Sequence, residues 1–185
     1  MDKNDAKLAE KALAGDEVAF TELVKIYLKP VFNFLNRLVK NIQVAEDLTQ
    51  ETFIKTWKNL KSYDQKRSFK TWIFTIAKNT AYDYFKNKKT IPFAYFEDIE
   101  GNSFLENAED DIADPGENMD FEISLKQLET AMEKIPGHYR EILFLCYKED
   151  FTLQEIAEIL SEPYNTVKSR HSRAISNLKK CIASK

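Results

Sequence analysis

Apolar residues recur along this chain at helical spacing, and the repeats break at a few places that divide it. Phe20, Leu23, Val24, Tyr27, Val31, Phe34, Leu35 and Leu38 follow a period near 3.6, which predicts a helix there. Pro30 lacks a backbone N–H and is expected to kink or divide that helix. Phe53, Trp57 and Leu60 stand at i, i+4 and i+7 and predict a second helix over 44–60. A third is predicted over 69–86. At 100° per residue, Phe69, Ile73, Ile76, Ala77, Thr80 and Tyr84 share one of its faces, and Thr75, Lys78, Asn79, Tyr82 and Lys86 lie opposite.

The later part of the chain has clearer punctuation. Ser124 and Gln127 have the spacing of a capping box and open a helix with Leu125, Leu128, Met132 and Ile135 on one face. Pro136-Gly137 ends it, and Tyr139, Ile142, Leu143, Cys146 and Tyr147 mark the next helix. Thr152 and Glu155 form a second capping box ahead of Leu153, Ile156, Ala157 and Leu160. After the turn SEPYN, Val167, His171, Ala174 and Leu178 define the inner face of a last helix. Pro163 suits its first turn, where a missing N–H costs little. The predicted fold class is all-α, and these last two helices have the form of a helix-turn-helix.

Helical angles assign the last helix an outward sector of Asn165, Ser169, Ser172, Arg173 and Ser176, flanked by Lys168 and Arg170. Short hydroxyl and amide groups let a backbone approach base edges, and Arg173 could pair with guanine through two hydrogen bonds. Lys168, Arg170, Lys179 and Lys180 suit phosphates. A basic amphipathic helix by itself is more often a solvated face than a reading head. The capped helix before it, and the absence of acids after Glu162, tilt the reading towards DNA. His171 faces inward and is expected to be a packed core histidine.

The net charge of −3 looks wrong for a DNA binder until it is divided. Residues 97–122 carry 11 acids and no Lys or Arg, so the rest of the chain sums to +8. Residues 53–89 hold ten Lys and Arg against Asp64 and Asp83, and residues 163–185 hold six against none. Two basic blocks therefore flank an acidic strap, which with Gly101, Pro115 and Gly116 reads as a flexible linker. The predicted organisation is a domain over 1–95, a linker over 96–122 and a domain over 123–185. Gly totals 4 and Pro 5, too few for many-turned β architectures. No apolar run reaches the ~20 residues of a bilayer crossing. The first residues lack the apolar centre of a signal peptide, and a cytoplasmic location without membrane insertion is expected. Cys146 and Cys181 are far apart and suggest neither disulfide nor zinc site, and Cys146 reads as a buried small hydrophobe. No glycine-rich phosphate loop, metal-ligand cluster or nucleophile–base pair stands out, so neither catalysis nor a cofactor is expected.

The run IPGHYREILFLCYKEDFTLQEIAEILSEPYNTVKSRHSRAISNLKK (135–180) resembles the C-terminal promoter-reading domain of bacterial RNA polymerase sigma factors, closest in the small extracytoplasmic-function class. AEDLTQETFIKTWKNL (45–60) and FKTWIFTIAKNTAYDYFKNKK (69–89) look like that class's other block. The resemblance implies a protein that binds core RNA polymerase, directs it to promoters and helps open DNA. Glu46, Asp47, Gln50 and Glu51 share a helix face and by similarity dock on the coiled coil of the polymerase β′ subunit. Asn79, Tyr82, Asp83 and Lys86 match the segment for the −10 element, beside Lys78 of the same stripe. An aromatic among bases and amides suits unpaired bases, since stacking is worth ~1–3 kcal/mol per base. The loop 63–68, with Lys66 and Arg67, is expected to help hold an extruded base, and Trp72 suits either core packing or base stacking. Lys168, Ser169, Ser172 and Arg173 match the −35 positions.

The implied partners are core RNA polymerase, through β′ and β, promoter DNA, and the anti-sigma proteins common in that class. By similarity the strap threads into polymerase channels, either as a plain spacer or as a mimic of a phosphate backbone. The chain departs from the family at several positions. Ser161 and Asn165 stand where Gly is usual, Glu162 and His171 where apolar residues are common, and Ile175 where Arg is common. Asn tolerates positive φ, so Asn165 is expected to replace Gly at moderate cost. Two competing readings remain. A helix-turn-helix regulator that does not engage polymerase would lack the N-terminal docking block, and a helical adaptor would make no DNA contact.

Overall fold

A computed structural model describes residues 3–65, 67–88 and 125–183. The strap, Lys66 and the Ser124 half of the first capping box lie outside the described residues. Among the described residues the fold is all-helical. Helix α1 (Lys3–Leu13) was not signalled by periodicity, because its buried positions among the described residues are the small alanines Ala9 and Ala12, with Leu8 and Leu13 only half-buried beside them. Gly15, at φ +96°, turns the chain into α2 (Glu17–Val39), and the Asp16 side chain accepts from the Ala19 N–H to cap it. Pro30 does not divide α2, which runs through it as one helix of 23 residues. Lys40, in the left-handed region at φ 51°, ends α2, and Asn41 caps α3 (Ile42–Lys58) by accepting from the Val44 N–H. A single 3-10 turn, Leu60–Ser62, leads towards α4 (Phe69–Lys88).

The second group comprises α5 (Leu125–Lys134), α6 (Gly137–Tyr147), α7 (Leu153–Leu160) and α8 (Tyr164–Ala183). Pro136 is the cap residue of α6, so Pro136-Gly137 both ends one helix and starts the next. The Thr152–Glu155 capping box is complete. The Glu155 N–H donates to Thr152 Oγ1 at 3.2 Å, and the Thr152 N–H donates to Glu155 Oε2 at 2.9 Å. Ile135, Leu143 and Ala174 form one buried cluster in this group, with Met132, Tyr139 and Leu178 packed on it.

The two groups share their main core. Phe34 of α2 lies 5.4 Å from Phe74 of α4 and 6.3 Å from Phe144 of α6, and Phe74 meets Phe151 edge-on at 5.0 Å. Leu23, Val31 and Ile73 on one side and Ile142, Ile156 and Val167 on the other belong to the same apolar cluster. Each fully buried side chain of this size contributes ~1.5–3 kcal/mol, which makes the closed packing favourable.

Candidate nucleic-acid and polymerase interfaces

Helix α8 owes its orientation to two buried residues, Val167 and Ala174, seven apart on its inner face. That fixes the opposite face as an exposed sector of Asn165, Lys168, Ser169, Ser172 and Arg173. Ser169 Oγ donates to the Thr166 carbonyl at 3.0 Å, and Asn177 donates to the Arg173 carbonyl at 2.9 Å, so both side chains fold along the helix. Arg170 departs from the expected flank. Its guanidinium donates to Glu162 Oε1 at 2.9 Å, and the two side chains are only 13% and 20% exposed.

The turn before α8 also differs from expectation. Asn165 is helical, in the first turn of α8, and needs no left-handed backbone. The left-handed residue is Ser161, at φ 60°, which ends α7. The Ser161 N–H donates to Glu158 O and the Glu162 N–H to Ala157 O, the pair of bonds that satisfies a helix C-terminus. His171 is half-buried, not enclosed in the core. Its Nε2 lies 3.1 Å from the hydroxyl of Tyr147, with the rings stacked at 5.7 Å. Tyr147, grouped with the apolar positions of its helix, is 63% exposed. Burial pushes the His171 pKa down, while burial and then Asp150 push the Cys146 thiol up.

The face of α4 opposite Ile73 and Ala77 is the largest surprise. Periodicity made it an outward stripe, yet α7 covers it. Lys78 is 5% exposed, and its amine donates to the Leu160 carbonyl at 3.4 Å. The Tyr82 hydroxyl donates to Glu141 Oε2 at 3.4 Å, and Thr71 donates to Glu155 Oε1 at 3.4 Å. Burial lowers the Lys78 pKa, opposed by Glu141 and Glu162. Burial, reinforced by Glu141 and Glu162, raises that of Tyr82. At the start of α4, Lys70 pairs with Glu149 and lies 4.6 Å over the Phe151 ring. Asn79, Asp83 and Lys86 remain exposed, so only the edge of the stripe is open. Asp83 is 3.5 Å from Lys55, which also pairs with Glu51 at 2.8 Å. Burial works against the Lys55 charge, but Glu51 and Asp83 outweigh it and raise its pKa.

Trp72 takes the packing option. It lies half-buried against Tyr63 at 5.0 Å and Phe69 at 5.6 Å. Arg67 is exposed, and its carbonyl accepts from the Tyr63 hydroxyl at 2.6 Å. On α3, Glu46, Asp47, Gln50 and Glu51 are all exposed together. The sequence reading missed the apolar continuation of this surface. Ile54 is 54% exposed, and Trp57, expected from its spacing to pack like Phe53, is 42% exposed against Phe20. The signal for Ile54 was present, since it follows Asp47 by seven residues.

Two family profiles match the chain: Sigma-70 region 2 over residues 23–91 and Sigma-70, region 4 over residues 125–178. The chain is 34% identical over 178 residues to the ECF RNA polymerase sigma factor SigW of Bacillus subtilis, covering 94% of each protein. It is 33% identical over 173 residues to the ECF RNA polymerase sigma-E factor of Escherichia coli, covering 92% of this chain and 90% of that one. Among solved structures, CnrH in complex with the cytosolic domain of CnrY superposes with a TM-score of 0.66 at 22% identity, covering 96% of both chains. The sigma factor RpoE in complex with the anti-sigma factor NepR from Bartonella quintana gives 0.62 at 23% identity, covering 89% of this chain and 97% of that one. These two likenesses are of fold.

Proposed function

The chain belongs to the extracytoplasmic-function class of sigma-70 factors, which direct promoter-specific initiation by RNA polymerase, and from that premise we propose how its residues divide the work. Arg173, Ser172, Ser169 and Lys168 on α8 read duplex DNA of the −35 element, with Asn165 at the edge of the sector. The carrying observation is that these side chains are exposed together on a helix whose roll is fixed by buried Val167 and Ala174. Arg173 supplies base discrimination and Lys168 a phosphate contact.

The α3 face of Glu46, Asp47, Gln50 and Glu51, extended by exposed Ile54, docks on the polymerase β′ coiled coil. An acidic face with an apolar margin repels DNA and suits a protein partner. Residues 1–95 hold this face and the −10 stripe of Lys78, Asn79, Tyr82, Asp83 and Lys86, beside Arg67 and Lys66. Residues 123–185 hold the −35 reader, and the acidic strap joins the two. Because Lys78 and Tyr82 lie under α6 and α7, the two helical groups separate before the −10 element is read. Docking on polymerase supplies the competing contacts that open them. The chain works by binding, inside the cell, and none of its residues is assigned a chemical step. Its partners are core polymerase, promoter DNA and an anti-sigma protein.

The test is transcription in vitro from genomic fragments with purified core polymerase. The wild-type chain is expected to stimulate defined start sites. R173A is expected to lose preference for the upstream element by ~1–3 kcal/mol of base discrimination. Failure of the wild type to stimulate any specific start would overturn the reading.

A further inference from the structure

Arg170 and Glu162 are joined by a charge-assisted hydrogen bond of 2.9 Å, with both side chains mostly buried. Glu162 is a fixed anchor. Its own N–H is bound to the Ala157 carbonyl at the end of α7, behind the left-handed Ser161. Arg170 sits nearly two turns into α8, one residue after Ser169 and three before Arg173. The ion pair therefore crosses the turn of the helix-turn-helix and ties the second helix to the end of the first. The next residue holds the other side, where His171 meets Tyr147 of α6 at 3.1 Å. A guanidinium engaged with a buried carboxylate is not available to a phosphate. Loss of either partner leaves an uncompensated charge in a partly desolvated place.

We propose that Arg170 is a positioning residue, held by Glu162, which fixes the roll of α8 so that Ser169 and Arg173 meet the −35 base edges. It does not itself contact the DNA backbone. This rests on the reading of α8 as the −35 helix.

The two roles predict opposite signs for one substitution. E162Q keeps every cation and removes an acid near the DNA. If Arg170 touched phosphate, E162Q would free it and tighten binding. If Arg170 positions α8, E162Q weakens it. The measurement is fluorescence anisotropy of the polymerase holoenzyme on duplex probes. One probe carries the −35 element mapped by run-off transcription, and the other carries a substituted base pair. E162Q and R170Q are each expected to reduce the preference for the correct probe by about tenfold, the scale of one bidentate base contact. The E162Q/R170Q double variant is expected to be no worse than either single one. The slope of affinity against salt is expected to stay unchanged, whereas K168Q lowers it by about 0.9. The exchanged pair E162R/R170E is expected to restore most of the preference, a rescue that a phosphate-contacting residue would not permit. Tighter binding by E162Q, a slope lowered by about 0.9 in R170Q, or no rescue by the exchanged pair would each overturn the assignment. R173A separates the two levels. If it leaves the preference intact, the −35 reading of α8 fails. If it abolishes the preference while E162Q does not, only the positioning role fails.

Discussion

Two residues of the helix-turn-helix turn departures from family habit into measurable effects. Ser161 holds φ 60°, a region costly to any residue with a Cβ and free to glycine. S161G is expected to raise stability by up to about 1 kcal/mol, the relief being offset in part by a looser unfolded chain. The midpoint of urea unfolding checks it, and a lower midpoint would show that Ser161 is unstrained. His171 carries a pH dependence. Burial lowers its folded pKa, so between that value and the unfolded one near 6.5 the unfolded chain binds more protons. Its contribution to stability is therefore present above pH 6.5 and falls away as pH drops below it. H171L, which also removes the Tyr147 contact, is expected to flatten that part of the stability profile in thermal melts taken from pH 7.5 to 5. An unchanged slope would assign the dependence to another group.

At the level of single helices, periodicity was a good guide wherever one face met one core. It located α2, α3, α4 and the final four helices, because each carries large apolar groups at 3.6 spacing. It missed α1, whose buried positions are alanines too small to stand out and whose Leu8 and Leu13 only half-enter the core. It gave the outward sector of α8 nearly whole, since Val167 and Ala174 fix the roll by themselves. Arg170 escaped because spacing assigns a residue to a face, not to a partner across a turn. Asn165 was misjudged for a related reason: the turn SEPYN closes at Ser161, and the helix resumes at Tyr164. The proposed docking face of α3 gives the prediction at this scale. Asp47 is exposed, so D47K should change stability by no more than about 0.5 kcal/mol. It places a cation in the middle of the acidic surface and, by reversing the charge that face presents, is expected to weaken binding to core polymerase at least about tenfold. Unaltered affinity in a pull-down titration would move the docking site off this face.

The packing of the two helical groups against each other was not legible in the sequence at all. A pattern of apolar positions reports which face of a helix is dry, but α4 is dry on two sides. Its second side is covered through Lys78 and Tyr82, polar groups that periodicity assigns to solvent, and through Thr71. Polar groups can be buried there because each finds a partner on α6 or α7. The same contacts set the condition for function, since Lys78 and Tyr82, two of the groups proposed to read opened DNA, are bonded to the protein's own other half. The free chain is therefore expected to bind single-stranded −10 DNA poorly. Phe151 is the residue to remove: it is 3% exposed, meets Phe74 edge-on and lies under the Lys70 amine. F151A forfeits ~3–5 kcal/mol of packing, much of it against α4, and leaves every proposed DNA-contacting side chain in place. It is expected to raise the affinity of the free chain for a fluorescent single-stranded −10 probe by at least about tenfold, equivalent to 1.4 kcal/mol of that loss. Helical content by circular dichroism should stay near wild type. In the holoenzyme, where polymerase is proposed to hold the groups apart, the same substitution should change affinity little. Equal weak binding by wild type and F151A, with the helices intact, would mean that polymerase does more than separate the two halves.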